Sequence, residues 1–204
     1  MDRRARLCSS IAAFGAAIYL AVLVTLPFVD RTFNALAAHP EDYVTGTFGV
    51  VVNLSYIALA VALACFLMSV WPVKGLGIAF AVVAVPPVIL CTALAADPIG
   101  IARGGTVLLL PIVCLALVPL IGSIALKDRV GGWRSMLAGL AVVVLVAFAG
   151  LVFAPNAVAG VVNRAFDVAL GAWIVVAAIA VSISPRGDRQ GQPDNHQSRS
   201  SQAG

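Results

Sequence analysis

The sequence predicts an all-α, polytopic membrane helix bundle with six transmembrane helices and both termini in the cytoplasm. Three observations predict it. Of 204 residues, 61% are hydrophobic and only 11% are charged, whereas a soluble domain keeps about a quarter of its residues charged. The charges fall in short clusters separated by apolar runs of roughly 18 to 23 residues, about the length a helix needs to cross the hydrocarbon core. The basic residues are also unevenly shared. Ten of thirteen (Arg3, Arg4, Arg6, Lys74, Lys127, Arg129, Arg134, Arg186, Arg189 and Arg199) lie on one side of a six-span arrangement, and Arg31, Arg103 and Arg164 lie on the other. Short loops rich in Lys and Arg stay in the cytoplasm, which places the amino terminus there.

The spans read as 11–28, 48–70, 76–96, 106–126, 136–153 and 161–183 within a transmembrane domain 1–183. They are too long for barrel strands and do not alternate polar with apolar residues, so helices are the spanning structure. The first run follows Arg3, Arg4 and Arg6 and precedes Ala35-Leu36-Ala37. It is nonetheless longer than the roughly 7–15-residue core of a signal peptide and is expected to be retained. The exterior connection 29–47 carries Asp30, Arg31, His39, Pro40, Glu41 and Asp42, with a short surface helix expected over 33–38 and a break at Pro40. The second span holds Asn53 and Tyr56 near its exterior end.

Proline marks the next two spans, with Pro86-Pro87 in the third and Pro111 and Pro119 in the fourth. Each interior proline removes an amide donor and frees a carbonyl that needs another partner in lipid. A kinked pair opening a small polar cavity and a simple bend for packing are equally weighted readings. Trp71 and Trp133 sit where indoles anchor helices at the cytoplasmic interface. Trp173, mid-way along the last span, needs an acceptor for its N–H. The tail 184–204, rich in Gly, Pro, Gln and Ser, is expected to be a disordered cytoplasmic segment.

Composition also excludes. The net charge of +4 reflects cytoplasmic loops and not nucleic-acid binding. The four cysteines, Cys8, Cys65, Cys91 and Cys114, form no Cys-x-x-Cys pair, so zinc and disulfide-framework readings fail. The only histidines, His39 and His196, lie outside the spans, which leaves no intramembrane histidine for a metal or haem. There is no glycine-rich nucleotide loop or His-Glu-x-x-His motif. No cofactor and no metal are expected. Arginine outnumbers lysine eleven to two amid abundant Ala, Val and Gly, the look of a GC-rich bacterial gene, so the expected location is the bacterial inner membrane.

The candidate site lies at the exterior helix ends. Asp97 closes the third span, Arg103 opens the fourth, and Asn163, Arg164 and Asp167 stand in the first turns of the sixth. Spacings of three and four residues put the last group on roughly one helical face. Ionisable groups at this depth face protein or a water-filled cavity. One reading is a periplasm-facing pocket in which Asp97 or Asp167 acts as an acid, with Asn53, Tyr56, Arg103, Asn163, Arg164 and Trp173 binding the ligand. The more economical reading, favoured about two to one, pairs Arg164 with Asp167 or Asp97 as a clamp between helix ends.

Three stretches resemble an uncharacterised family of bacterial six-helix membrane proteins, domain of unknown function 998. They are Ala93-Leu94-Ala95-Ala96-Asp97-Pro98, the basic loop from Ile124 to Trp133 followed by Arg134, and Gly160-Val161-Val162-Asn163-Arg164 with Trp173 nine residues on. Many relatives carry histidines shortly after the Asp-Pro pair, where this chain reads Ile99-Gly100-Ile101-Ala102-Arg103. The resemblance implies the six-helix fold and draws attention to Asp97, Arg164 and Trp173, but implies no activity.

The function expected is binding of a membrane lipid or hydrophobic small molecule, or of a partner helix in another membrane protein, at the exterior face. A membrane-embedded enzyme protonating an isoprenoid-like substrate through Asp97 or Asp167 is the alternative, with Trp173 and Tyr56 facing a developing cation. A transporter ranks third, because the two halves show no internal repeat and no charge sits at mid-bilayer.

Overall fold

The computed structural model describes residues 3–31, 33–34, 36–38, 40–70, 77–96, 109–155 and 157–183. Among these it is all-helical, with six α-helices: α1 (Arg3–Val29), α2 (Gly49–Val70), α3 (Gly77–Ala96), α4 (Leu109–Leu126), α5 (Arg134–Phe153) and α6 (Ala159–Ile183). The helices overlie the six apolar runs, and α1 begins earlier, taking in Arg3, Arg4 and Arg6. Backbone hydrogen bonding continues past the edge of an apolar run wherever no Gly or Pro interrupts it, so a helix and its span need not share a boundary. Three segments, Arg3–Val29, Gly49–Val70 and Ala159–Ile183, are long and apolar enough to cross a membrane, as is Gly131–Phe153, which contains α5. In α3 and α4 the corresponding apolar stretches, Val82–Ala93 and Pro111–Leu126, are shorter among the described residues.

Each helix packs on its neighbours in sequence, and α6 returns to pack on α1, so the six close into a ring. α6 also touches α2 and α4 across the ring, and its buried residues run from Ala159 to Val181. The order is antiparallel between neighbours. Tyr19 meets Tyr56 while Gly15 meets Ala58 and Ala62, and Ser9 donates to the Ala178 carbonyl at one end while Tyr19 lies near Asp167 towards the other. One end of the bundle, here the basic end, holds the start of α1 and the α4–α5 connection. The opposite, capped end holds the α1–α2 and α5–α6 connections.

The outward surface is apolar. Phe14, Phe28, Val50, Met68, Val82, Val146 and Phe153 are all exposed, Phe153 to 83%. In water such a belt would aggregate, but lipid tails solvate it as well as the core does, which removes most of the hydrophobic drive for helix association. Close packing and internal hydrogen bonds hold the helices instead. Small residues allow that approach: a Cβ at Gly15 would stand 2.8 Å from the Ala58 carbonyl oxygen, so glycine sets the α1–α2 spacing.

The hydroxyls of Ser55, Ser69 and Thr92 return to carbonyls three or four residues earlier in their own helices, the low-cost way to hide a hydroxyl in a membrane helix. The expected helix over 33–38 is instead a single turn, with the Ala37 and Ala38 amides donating to the Asn34 carbonyl and the Leu36 amide to Asn34 Oδ1. Helix forms just beyond it, as a 3₁₀ helix at Pro40–Thr45. Pro40 starts that helix and does not break a preceding one, because a first-turn amide has no helical partner to lose. Trp71, Lys74, the 97–108 connection and the tail from 184 lie outside the described residues.

Candidate functional site

Two arrangements occupy the capped end, one above the other. The upper one is a cap built by the α1–α2 connection. Tyr43, in the 3₁₀ helix, is fully buried and packs on Phe33 with ring centroids 5.0 Å apart. Arg164, in the second turn of α6, donates from Nη2 to Tyr43 Oη at 3.0 Å and to the Ala38 carbonyl at 3.1 Å, and its guanidinium lies 5.4 Å from the Tyr43 ring centre. The Val161 amide donates to the Leu36 carbonyl at 3.2 Å. Amides at a helix start have no partner within the helix, and here the connection supplies one. Gly160 makes the approach feasible, since a Cβ there would fall 2.3 Å from the Ala38 oxygen. Asp30, at the end of α1, is buried with its carboxylate against Gly46.

Beneath the cap lies a polar cluster drawn from four helices. Asp167 of α6 is 8% exposed and lies near the phenol of Tyr19 from α1. The Tyr56 ring of α2 stands 6.3 Å from the Tyr19 ring, and the buried Cys91 of α3 lies near Tyr19 and Asp167. Tyr56 is seven residues into α2 and Asp167 eight into α6. At about 1.5 Å per residue, both stand roughly 10–12 Å below their helix starts. Asn53, one turn before Tyr56, keeps its Oδ1 fully buried with no hydrogen-bond partner. Such an acceptor costs about 1–3 kcal/mol unless something fills it.

Of the residues singled out from sequence, Asn53, Tyr56 and Asp167 fall at this level. Arg164 turns up to the cap, while Asn163, beside it, is half-buried. Trp173 is elsewhere. It is fully buried towards the basic end, donates from Nε1 to Ser123 Oγ at 3.1 Å and meets Phe66 edge-on at 5.5 Å. Ser123 Oγ in turn donates to the Leu137 carbonyl at 3.2 Å. Asp97 and Arg103 lie outside the described residues.

Sequence reasoning missed Tyr19, Tyr43 and Cys91. A phenol in the otherwise apolar run Ala16-Ala17-Ile18-Tyr19-Leu20 was the available signal for Tyr19. All four cysteines are free thiols. Among the described residues, no three His, Cys, Asp or Glu side chains gather as a metal site requires.

The arrangement offers a carboxyl group, two phenols and an open amide acceptor away from bulk water, closed above by an arginine-pinned connection. That suits holding the polar head of a mostly apolar molecule, or passing a proton between Asp167 and such a molecule. No family model, no curated protein and no solved structure matches the chain.

Proposed function

We propose that this chain is a six-span protein of a bacterial inner membrane, with both termini in the cytoplasm, that binds a lipid or hydrophobic small molecule beneath its exterior cap. The observation that carries the reading is Asp167, a carboxyl group 8% exposed beside the Tyr19 phenol, inside a bundle whose outer face is apolar. Ionisable groups at membrane depth are costly and are retained mainly where they meet a ligand, a proton or a partner charge. The open acceptor of Asn53 adds a group with capacity to spare. Orientation rests on the basic loops. Membership of domain of unknown function 998 rests on the three motifs described above.

Native mass spectrometry of the purified protein tests the binding. A single defined small molecule retained by wild type and lost from Asp167→Asn is the expected result. Bulk phospholipid alone, equal in both proteins, would leave the cluster as helix-to-helix stitching and end the proposal. Topology is tested separately with alkaline phosphatase fusions, expected to be active after residues 42 and 156 and silent after 74, 130 and 190.

The second reading, acid catalysis, draws on the burial of Asp167 beside Tyr19 within the bundle. It requires turnover that disappears in Asp167→Asn while the fold is kept, and co-purification of an unchanged molecule without turnover would favour simple binding.

A further inference from the structure

We propose that the basic end of the bundle is a docking surface for the headgroups of anionic phospholipid, formed by Arg3 and Arg6 at the start of α1 and by Lys127 and Arg134 on either side of the α4–α5 connection. It stands apart from the pocket beneath the cap and does not depend on it. Three contacts bring these cations to one end. Ser9 donates to the Ala178 carbonyl, so α1 starts beside the end of α6. Gly15 packs on Ala58 and Ala62 in an antiparallel pair, which sets the start of α1 level with the end of α2. Arg129 Nη1 donates to the Val70 carbonyl at 3.1 Å and so holds the α4–α5 connection against that same helix end. Val130 is buried and Gly131, at φ 45°, turns the chain, so Lys127 and Arg134 flank a turn held in place.

Charge selects the class of partner. Arg3, Arg4, Arg6, Lys127 and Arg134 are all exposed. Against them, Asp128 is the only acidic residue at this end among the described residues, and Asp2 adjoins Arg3 in sequence. Arg3, Arg4 and Arg6 open α1 and Arg134 opens α5, with no acidic residue in either first turn. A helix start already carries partial positive charge, so basic side chains there add repulsion that an anion relieves.

The neighbouring side chains make that anion a lipid. Leu7, Met68, Ile124 and Met136 follow or precede the charged ends within about a turn, and all are exposed, Leu7 to 62% and Met68 to 66%. A phosphate held by the cations lays its acyl chains along these residues, whereas a dissolved anion leaves them uncovered. Lys and Arg clustered beside membrane helices favour anionic lipid by roughly fivefold in affinity per cation.

The test titrates the full chain in dodecylmaltoside with dioleoyl phosphatidylglycerol and dioleoyl phosphatidylcholine, counting bound lipid by native mass spectrometry. Phosphatidylglycerol is expected to bind more than about tenfold more tightly, with the preference shrinking as ammonium acetate is raised, because salt screens exposed charge. Arg3→Gln/Arg6→Gln and Lys127→Gln/Arg134→Gln are each expected to weaken phosphatidylglycerol binding by about twentyfold. Phosphatidylcholine binding and helicity by circular dichroism are expected to match wild type in both, since the four side chains are exposed. The variant combining all four changes is expected to lose the preference. Equal affinity of wild type for the two lipids, or an undiminished preference in the combined variant, would overturn the proposal. Glycerol phosphate displacing phosphatidylglycerol at matched concentration would assign the cations to a dissolved anion and overturn it as well.

Discussion

The two ends of the bundle bury polar groups in different ways. Towards the basic end, buried polar groups meet specific partners: Trp173 donates to Ser123, Ser123 to the Leu137 carbonyl, Ser9 to the Ala178 carbonyl and Arg129 to the Val70 carbonyl. Towards the capped end, four helices bring Asp167, Tyr19, Tyr56 and Cys91 together, and the Asn53 oxygen is left with capacity to spare. A satisfied network rigidifies, whereas a buried group without its partner costs free energy that evolution ordinarily removes. The contrast separates a half of the molecule whose buried hydrogen bonds close on themselves from a half that keeps one buried acceptor open.

That contrast can be broken most severely at Trp173. Trp173→Ala is expected to cost about 3–5 kcal/mol, seen as a lowered denaturation midpoint in mixed micelles, with the ligand selectivity of surviving protein unchanged. A loss of selectivity with intact stability would show that the two ends are one functional unit. Next, Gly160→Ala forces a methyl group onto the Ala38 carbonyl. The cost is expected at about 1–3 kcal/mol, with faster proteolysis confined to residues 30–48; unchanged cleavage there would mean the cap does not depend on this close contact.

Tyr19→Phe removes only the hydroxyl facing Asp167. A loss of about 1 kcal/mol is expected, in keeping with hydrogen bonds inside membrane proteins, together with weakened ligand retention. Stability loss without any change in retention would move the capped end into the same structural class as the basic end. The smallest effect is expected from Arg129→Ala, which removes a donor to the Val70 carbonyl at the end of α2. It should shift the melting temperature by a degree or two and leave binding untouched.

Much of this architecture was legible from the chain. The helices could be read because lipid demands unbroken apolar runs, and Trp173 announced its need for a partner because an indole N–H cannot stay bare in hydrocarbon. Asn53, Tyr56 and Asp167 could be flagged by polarity and depth alone. The register of one helix against another could not. Tyr19 stands 148 residues from Asp167 in sequence, and only the closure of the ring brings them together. Arg164 and Asp167 share a helix three residues apart, and Arg164 Nη2 reaches the cap at Ala38 and Tyr43, contacts that spacing along one helix does not specify. The cap was hidden for another reason: Tyr43 lies in a polar stretch, and its burial follows from Gly160 and Gly49 admitting the backbone.

The contact of α6 with α1 also sets a schedule for biogenesis. Ser9 meets Ala178 across 169 residues of chain, and ribosomes add roughly 5–20 residues per second. The first helix therefore waits on the order of ten to thirty seconds in the bilayer with its inward face uncovered. Asp167 arrives last, carrying a carboxyl group whose phenol partner has been lodged in the membrane since the start. The opening helix thus serves as the receptor for the closing one, and a ribosome stalled before α6 would leave an open horseshoe for quality-control proteases to recognise.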